Sequence, residues 1–164
     1  MLSRLQIGRR ALTLAASALA VLALAPGAGA QQGHVVELTQ VACQFIESED
    51  GVDHGFVTTR KADCDRINAE SGAQRVATAE VLRLSPGRYT FRVANKDVPY
   101  ELGFWVREKD YDWRNPIHHA TKTSVSGGGL TVGTVKDYVV DLEPGEYLYS
   151  CPLNTTPDYR LIVE

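Results

Sequence analysis

Three cysteines are the residues of this chain best suited to chemistry: Cys43, Cys64 and Cys151. Thiolates bind soft and borderline metal ions, whereas in an oxidising compartment pairs of cysteines form disulfides that persist. An odd number of cysteines cannot all pair within one chain. The sequence therefore predicts either one free thiol or a use of cysteine other than cross-linking. A Cys43–Cys64 bond is one plausible pairing, and it would contribute about 2–4 kcal/mol of stability.

Other chemistry-bearing patterns are weak. His118 and His119 could extend a metal site, but solvated loop histidines are the simpler interpretation. The chain has no nucleophile elbow, phosphate loop or histidine–carboxylate zinc motif, so no enzymatic activity is predicted.

The first thirty residues have the composition of a secretory signal. Three arginines (Arg4, Arg9 and Arg10) precede an apolar run over 11–25 and small residues at 28–30. We therefore expect a signal peptide over 1–30 and a periplasmic or secreted mature chain over 31–164. The paired arginines leave the export route, Sec or twin-arginine, open. The apolar run is shorter than the roughly 20 residues that span a membrane, and no transmembrane segment is predicted in the mature chain.

The mature chain is acidic. Without the three leader arginines, 14 basic residues face 20 acidic ones, a net charge of about −6. An acidic domain without a basic cluster is not expected to bind nucleic acid. Its length is typical of a single domain with a real core.

The cysteines must be positioned by strands. Several short segments are rich in β-branched and aromatic residues, and turn residues separate them. Two units of strand, Pro-Gly turn and strand lie in the two halves of the chain, around Pro86-Gly87 and Pro144-Gly145. The spacing predicts an all-β Greek-key sandwich with strands at 35–41, 81–84, 89–93, 100–107, 138–142, 147–151 and 159–163. An insertion over 44–80 is expected to contain a helix starting near Asp63. Residues 109–135 are predicted to be a loop with one short strand near 130–132.

The closing hairpin resembles that of the cupredoxin family. The hairpin consists of Leu142 to Tyr147, then Ser150-Cys151-Pro152-Leu153, then Leu161 to Val163. The segment Val93 to Tyr100 is similar to the cupredoxin segment that delivers the first copper-binding histidine. The resemblance implies a cupredoxin-type sandwich. However, Tyr100 and Asn154 stand where the two histidines are expected, and a phenol and an amide are poor substitutes for imidazole. A blue-copper electron-transfer site is therefore not expected.

A closer resemblance is to the EfeO-type cupredoxin-like domain of periplasmic iron-uptake proteins. The shared residues are Pro144-Gly145-Glu146-Tyr147, Cys151, Leu153, Thr155-Thr156-Pro157 and Leu161-Ile162-Val163. Cys43 and Glu101 match two further positions, so the resemblance implies a metal cluster of Cys43, Glu101 and Cys151. It could hold copper or another soft or borderline cation. The alternative is a disulfide, either Cys43–Cys151 or Cys43–Cys64, and no cofactor.

Two functions remain open. The first is metal handling, of copper or iron, with a membrane metal transporter or an oxidase as a possible acceptor. The second is a metal-free, disulfide-stabilised module for structure or protein interaction. The state of the thiols distinguishes the two.

Overall fold

The computed structural model describes residues 33–164, so the predicted signal peptide lies outside the described residues. Nine strands, two α-helices and a short 3-10 helix (Glu47–Glu49) occur in this part of the chain. The strands and α-helices are β1 (His34–Val41), β2 (Gln44–Phe45), α1 (Lys61–Thr78), β3 (Leu82–Leu84), β4 (Gly87–Asn95), β5 (Leu102–Glu108), α2 (Pro116–Thr121), β6 (Ser124–Leu130), β7 (Val135–Leu142), β8 (Gly145–Ser150) and β9 (Tyr159–Val163). No helix within these residues is both long and apolar enough to cross a membrane.

The strands form two sheets. One has the order β2-β1-β4-β7 and the other the order β3-β9-β8-β5-β6. The β1–β4 and β3–β9 pairs are parallel, and the other pairs are antiparallel. The predicted β-sandwich is therefore confirmed, including the helix in its 44–80 insertion.

Alternating apolar side chains fill the space between the sheets. In β4, Tyr89, Phe91 and Val93 are buried, while the residues between them face outward or are only partly covered. The ring centroids of Phe91 and Phe104 lie 5.2 Å apart, a normal packing distance for aromatic pairs. Burial of each such side chain stabilises the fold by roughly 1.5–3 kcal/mol, so this core holds the two sheets together.

The helix of the insertion begins where a carboxylate caps it. The carboxylate of Asp63 accepts hydrogen bonds from the backbone N–H groups of Thr59 (2.9 Å) and Arg60 (3.2 Å). These bonds, led by that from Thr59, lower the pKa of Asp63. They satisfy free donors at the start of α1, which explains why the helix begins at Lys61, close to the predicted start.

The prediction for residues 109–135 was wrong in detail. Instead of a loop with a strand near 130–132, the chain forms α2 and the seven-residue strand β6. Asn115 caps α2 by accepting from the N–H of Ile117, and Pro116 occupies the first helical turn. Gly103 of β5 permits the close approach of β6, because a Cβ at this position would lie 2.6 Å from the Gly127 carbonyl oxygen.

A buried ionic network attaches α1 to the sandwich. Nη2 of Arg75 lies 3.4 Å from Oε1 of Glu49, and both side chains are almost fully buried. The second oxygen of Glu49 is 2.7 Å from Nε2 of His54, and the Tyr159 hydroxyl also donates to this carboxylate. Burial, together with the carboxylate of Glu49, raises the pKa of Tyr159. His54 is thus part of the attachment.

We predict that Arg75→Met lowers the free energy of unfolding by about 3 kcal/mol, because Glu49 would keep a buried charge without its guanidinium partner. The matched control is Arg66→Met on the same helix, where Arg66 and Glu70 form an exposed pair at 3.7 Å. That change should cost less than about 0.5 kcal/mol. Urea denaturation followed by circular dichroism measures both values. Equal losses in the two variants would contradict the network's role.

Candidate functional site

Two of the three cysteines are joined. Cys43, after β1, and Cys64, in α1, form a disulfide with a Cα separation of 5.0 Å, and neither residue is exposed. The Cys43–Cys64 pairing predicted as an alternative is therefore confirmed, and the Cys43–Cys151 pairing is not formed. Cys151 retains a buried thiol.

The structure does not bring the predicted metal ligands together. Cys43 is oxidised in the disulfide, so its sulfur is not a thiolate ligand. Glu101 is exposed, and its Oε1 accepts a hydrogen bond from the N–H of Gly129 at 2.7 Å. Within residues 33–164, no group of three or more histidine, cysteine, aspartate or glutamate side chains converges on a possible metal position. The reason is the insertion, which delivers Cys64 to Cys43.

Asn154 lies at the centre of one end of the sandwich, the end that carries the disulfide. We call this end the pole; it comprises the Cys43–Cys64 disulfide, Tyr100, Cys151 and Asn154. The Asn154 carboxamide is fully buried. Its Nδ2 donates to the Val41 carbonyl at 2.8 Å, and its Oδ1 accepts from the Cys43 N–H at 3.1 Å. One side chain thereby fixes the carboxyl-terminal loop to the end of β1.

Tyr100 closes one side of the pole. Its hydroxyl lies 3.1 Å from Asn154 Oδ1, which can only accept, and 3.3 Å from the hydroxyl of Thr58, which can donate to it. Cys64 Sγ lies 3.2 Å from the same Asn154 oxygen and 3.8 Å from the Tyr100 hydroxyl. Burial raises the pKa of Tyr100, so the phenol is neutral at physiological pH.

Cys151 lies beneath this network, with 1 % of its surface exposed. Its Sγ accepts hydrogen bonds from the N–H groups of Asn154 (3.2 Å) and Gly103 (3.4 Å). Its own N–H donates to the Thr156 hydroxyl at 2.9 Å. Burial raises the pKa of the Cys151 thiol, and this effect outweighs the opposing effect of the N–H donors. The sulfur is therefore a neutral thiol in the closed protein.

Two buried amides that the sequence did not single out support the pole. Gln40 donates to the carbonyl of Gly103 at 2.8 Å, while its Oε1 has no hydrogen-bond partner within residues 33–164. Asn95 donates to the carbonyls of Val98 (3.1 Å) and Leu130 (3.2 Å). It thus holds the turn that leads to Tyr100. A polar residue at a buried strand end is the only sequence signal for either role.

All four histidines of the chain lie in described residues, and each has a partner away from Cys151. His118 Nδ1 accepts from the Asp112 N–H at 2.9 Å, and His119 Nε2 lies 2.7 Å from the Trp113 carbonyl oxygen. These two bonds shape the turn before α2. His54 pairs with Glu49, as described above, and His34 lies against Tyr89, with ring centroids 5.3 Å apart.

Comparison with known proteins gives one kind of match. No family model matches the chain, and no curated protein is similar to it in sequence. Among solved structures it is similar to auracyanin B, with a TM-score of 0.48 and 12 % sequence identity, over 80 % of this chain and 88 % of that one.

Proposed function

We propose that this chain is an exported β-sandwich of cupredoxin type that acts as a metal-free, disulfide-stabilised module for binding another protein. The observation that carries the proposal is the bonding of Asn154. Its carboxamide stands where a copper site would need an imidazole, and it is already bonded to Val41, Cys43 and Tyr100. Because these neutral groups satisfy one another's hydrogen bonds, this end of the sandwich is closed.

The donor chemistry of the pole does not fit blue copper. Such a site needs a thiolate and two imidazoles that tolerate both Cu(II) and Cu(I). The groups of the pole are instead one thiol at Cys151, the phenol of Tyr100, the carboxamide of Asn154 and an oxidised pair of sulfurs, with no imidazole among them. We therefore assign no electron-transfer step to copper.

Export is supported by the disulfide. Cystines persist in the periplasm and outside the cell, and they are rare in the cytosol. The Cys43–Cys64 bond therefore agrees with the leader-like composition of residues 1–30. In a periplasmic or secreted location, the disulfide that holds this fold would persist.

The segment 109–123, which contains α2, is the proposed interaction face. Trp113 is 60 % exposed and Ile117 66 % exposed. The guanidinium of Arg114 lies over the Trp113 ring at 4.9 Å. Tryptophan and arginine are enriched at the centres of protein interfaces. The bonds made by His118 and His119 hold the segment in one conformation, which lowers the entropic cost of binding.

A second candidate function is the handling of copper or iron in transit, with delivery to a membrane metal transporter or an oxidase. One observation favours it. The two N–H groups directed at Cys151 Sγ would stabilise a thiolate, which is the form that binds a soft cation. The carboxylate of Glu101 and a reduced Cys43 are the other ligands that the sequence offers.

Elemental analysis and a thiol count separate the two candidates. We expect protein purified from the periplasm without chelator to contain less than about 0.1 metal ion per chain, and about one thiol after denaturation. Cys151→Ser should remove that thiol and leave the fold intact. About one metal ion per chain that is lost in Cys151→Ser would instead establish the metal-handling function.

In-cell cross-linking tests the interaction face. We expect cells that produce the protein natively to yield a covalent adduct with a second protein, and Trp113→Ala to abolish it, because Trp113 would be a buried anchor of the complex. The matched control is Val57→Ala, which changes an apolar side chain that is 86 % exposed. Adduct yields that fall equally in both variants, or in neither, would contradict the assignment.

A further inference from the structure

We propose that helix α1 (Lys61–Thr78) of the insertion is a redox-controlled lid over Cys151, tethered by the Cys43–Cys64 disulfide. The proposal goes beyond the interaction function and does not depend on it. It begins from the chain that follows Cys151. Residues 152–158 contain no strand, and the N–H of Asn154 in this loop donates to Cys151 Sγ. The loop is therefore the immediate cover of the thiol.

The insertion forms a second layer above this loop. The Asn68 carboxamide of α1 donates to the Thr155 carbonyl, and the Thr155 hydroxyl donates to Asp65 at 2.6 Å. Cys64 Sγ lies against the Asn154 carboxamide at 3.2 Å. As long as α1 stays docked, the loop cannot move away from Cys151.

The docked face of α1 is small and polar. Cys64, Gly72 and Arg75 are its buried residues. The sulfur pair belongs to a separate cluster with Ala42, packed against Phe56 and Ile67, and not to the main core between the sheets. Units with few buried apolar contacts open locally at a lower free energy than the core. The lid can therefore open while the sandwich remains folded.

The disulfide is the covalent part of the attachment. A dithiol reductant would transfer two electrons and two protons to it, so that the S–S bond is replaced by thiols on Cys43 and Cys64 while the dithiol becomes a disulfide. The helix would then be held by its hydrogen bonds, by the Arg75–Glu49 pair and by the packing around Phe56 and Ile67. Opening would give solvent access to the buried Cys151 thiol.

Alkylation of Cys151 measures the opening. The native oxidised protein, and protein reduced with dithiothreitol and then desalted, are treated with N-ethylmaleimide, and modified Cys151 is quantified by peptide mass spectrometry. We expect at least about a tenfold faster reaction at Cys151 after reduction, because a buried neutral thiol reacts only through opening. Cys43→Ala/Cys64→Ala should react at the faster rate without reductant.

Two further variants keep the tether and test the contacts. Asp65→Ala/Asn68→Ala should speed the reaction of Cys151 in the oxidised protein, whereas Glu70→Ala, on the exposed face of the same helix, should leave it unchanged. Three results would overturn the proposal: an unchanged rate when mass spectrometry confirms reduction, a fast reaction already in the oxidised protein, or loss of the far-ultraviolet circular dichroism of the sandwich on reduction. The last result would show that the disulfide supports the whole fold.

Discussion

The hydrogen bonds of one buried carboxamide, that of Asn154, hold the residues of the pole in place. An amide in a dry interior must satisfy both its donor and its acceptor, because each unmet group costs about 1–3 kcal/mol. Asn154 does so with groups from β1, from the residue just before the insertion and from the turn before β5. Three distant parts of the chain are therefore positioned by a single side chain.

The conformation of Cys43 shows how tightly this region is determined. Its φ of 64° lies in the left-handed region, which is costly for a residue other than glycine. It is held there by the disulfide, by the bond to Asn154 and by Arg75, which donates to its carbonyl at 2.9 Å. The same arrangement places Cys64 beside Tyr100, so the cross-link and the neutral network form one structure.

Sequence patterns predicted those parts of the fold that follow from local periodicity. The alternation of Tyr89, Phe91 and Val93 predicted β4, and the Pro-Gly turns indicated the hairpins. The sequence patterns did not decide which cysteine pairs with Cys43, because the pairing depends on where α1 docks. The docking rests on polar contacts of Asn68 and Arg75, which leave no apolar stripe in the sequence. Strand β6 was missed because its glycines resemble a loop.

Amide hydrogen exchange tests the central claim most directly. In the oxidised protein, the N–H groups of Cys43, Gly103 and Asn154 donate to buried acceptors of the pole. The account predicts that they exchange far more slowly than the amide of the exposed Val57, and that Asn154→Ala releases the Cys43 amide. Exchange of these three amides at the rate of the exposed Val57 would contradict a closed pole.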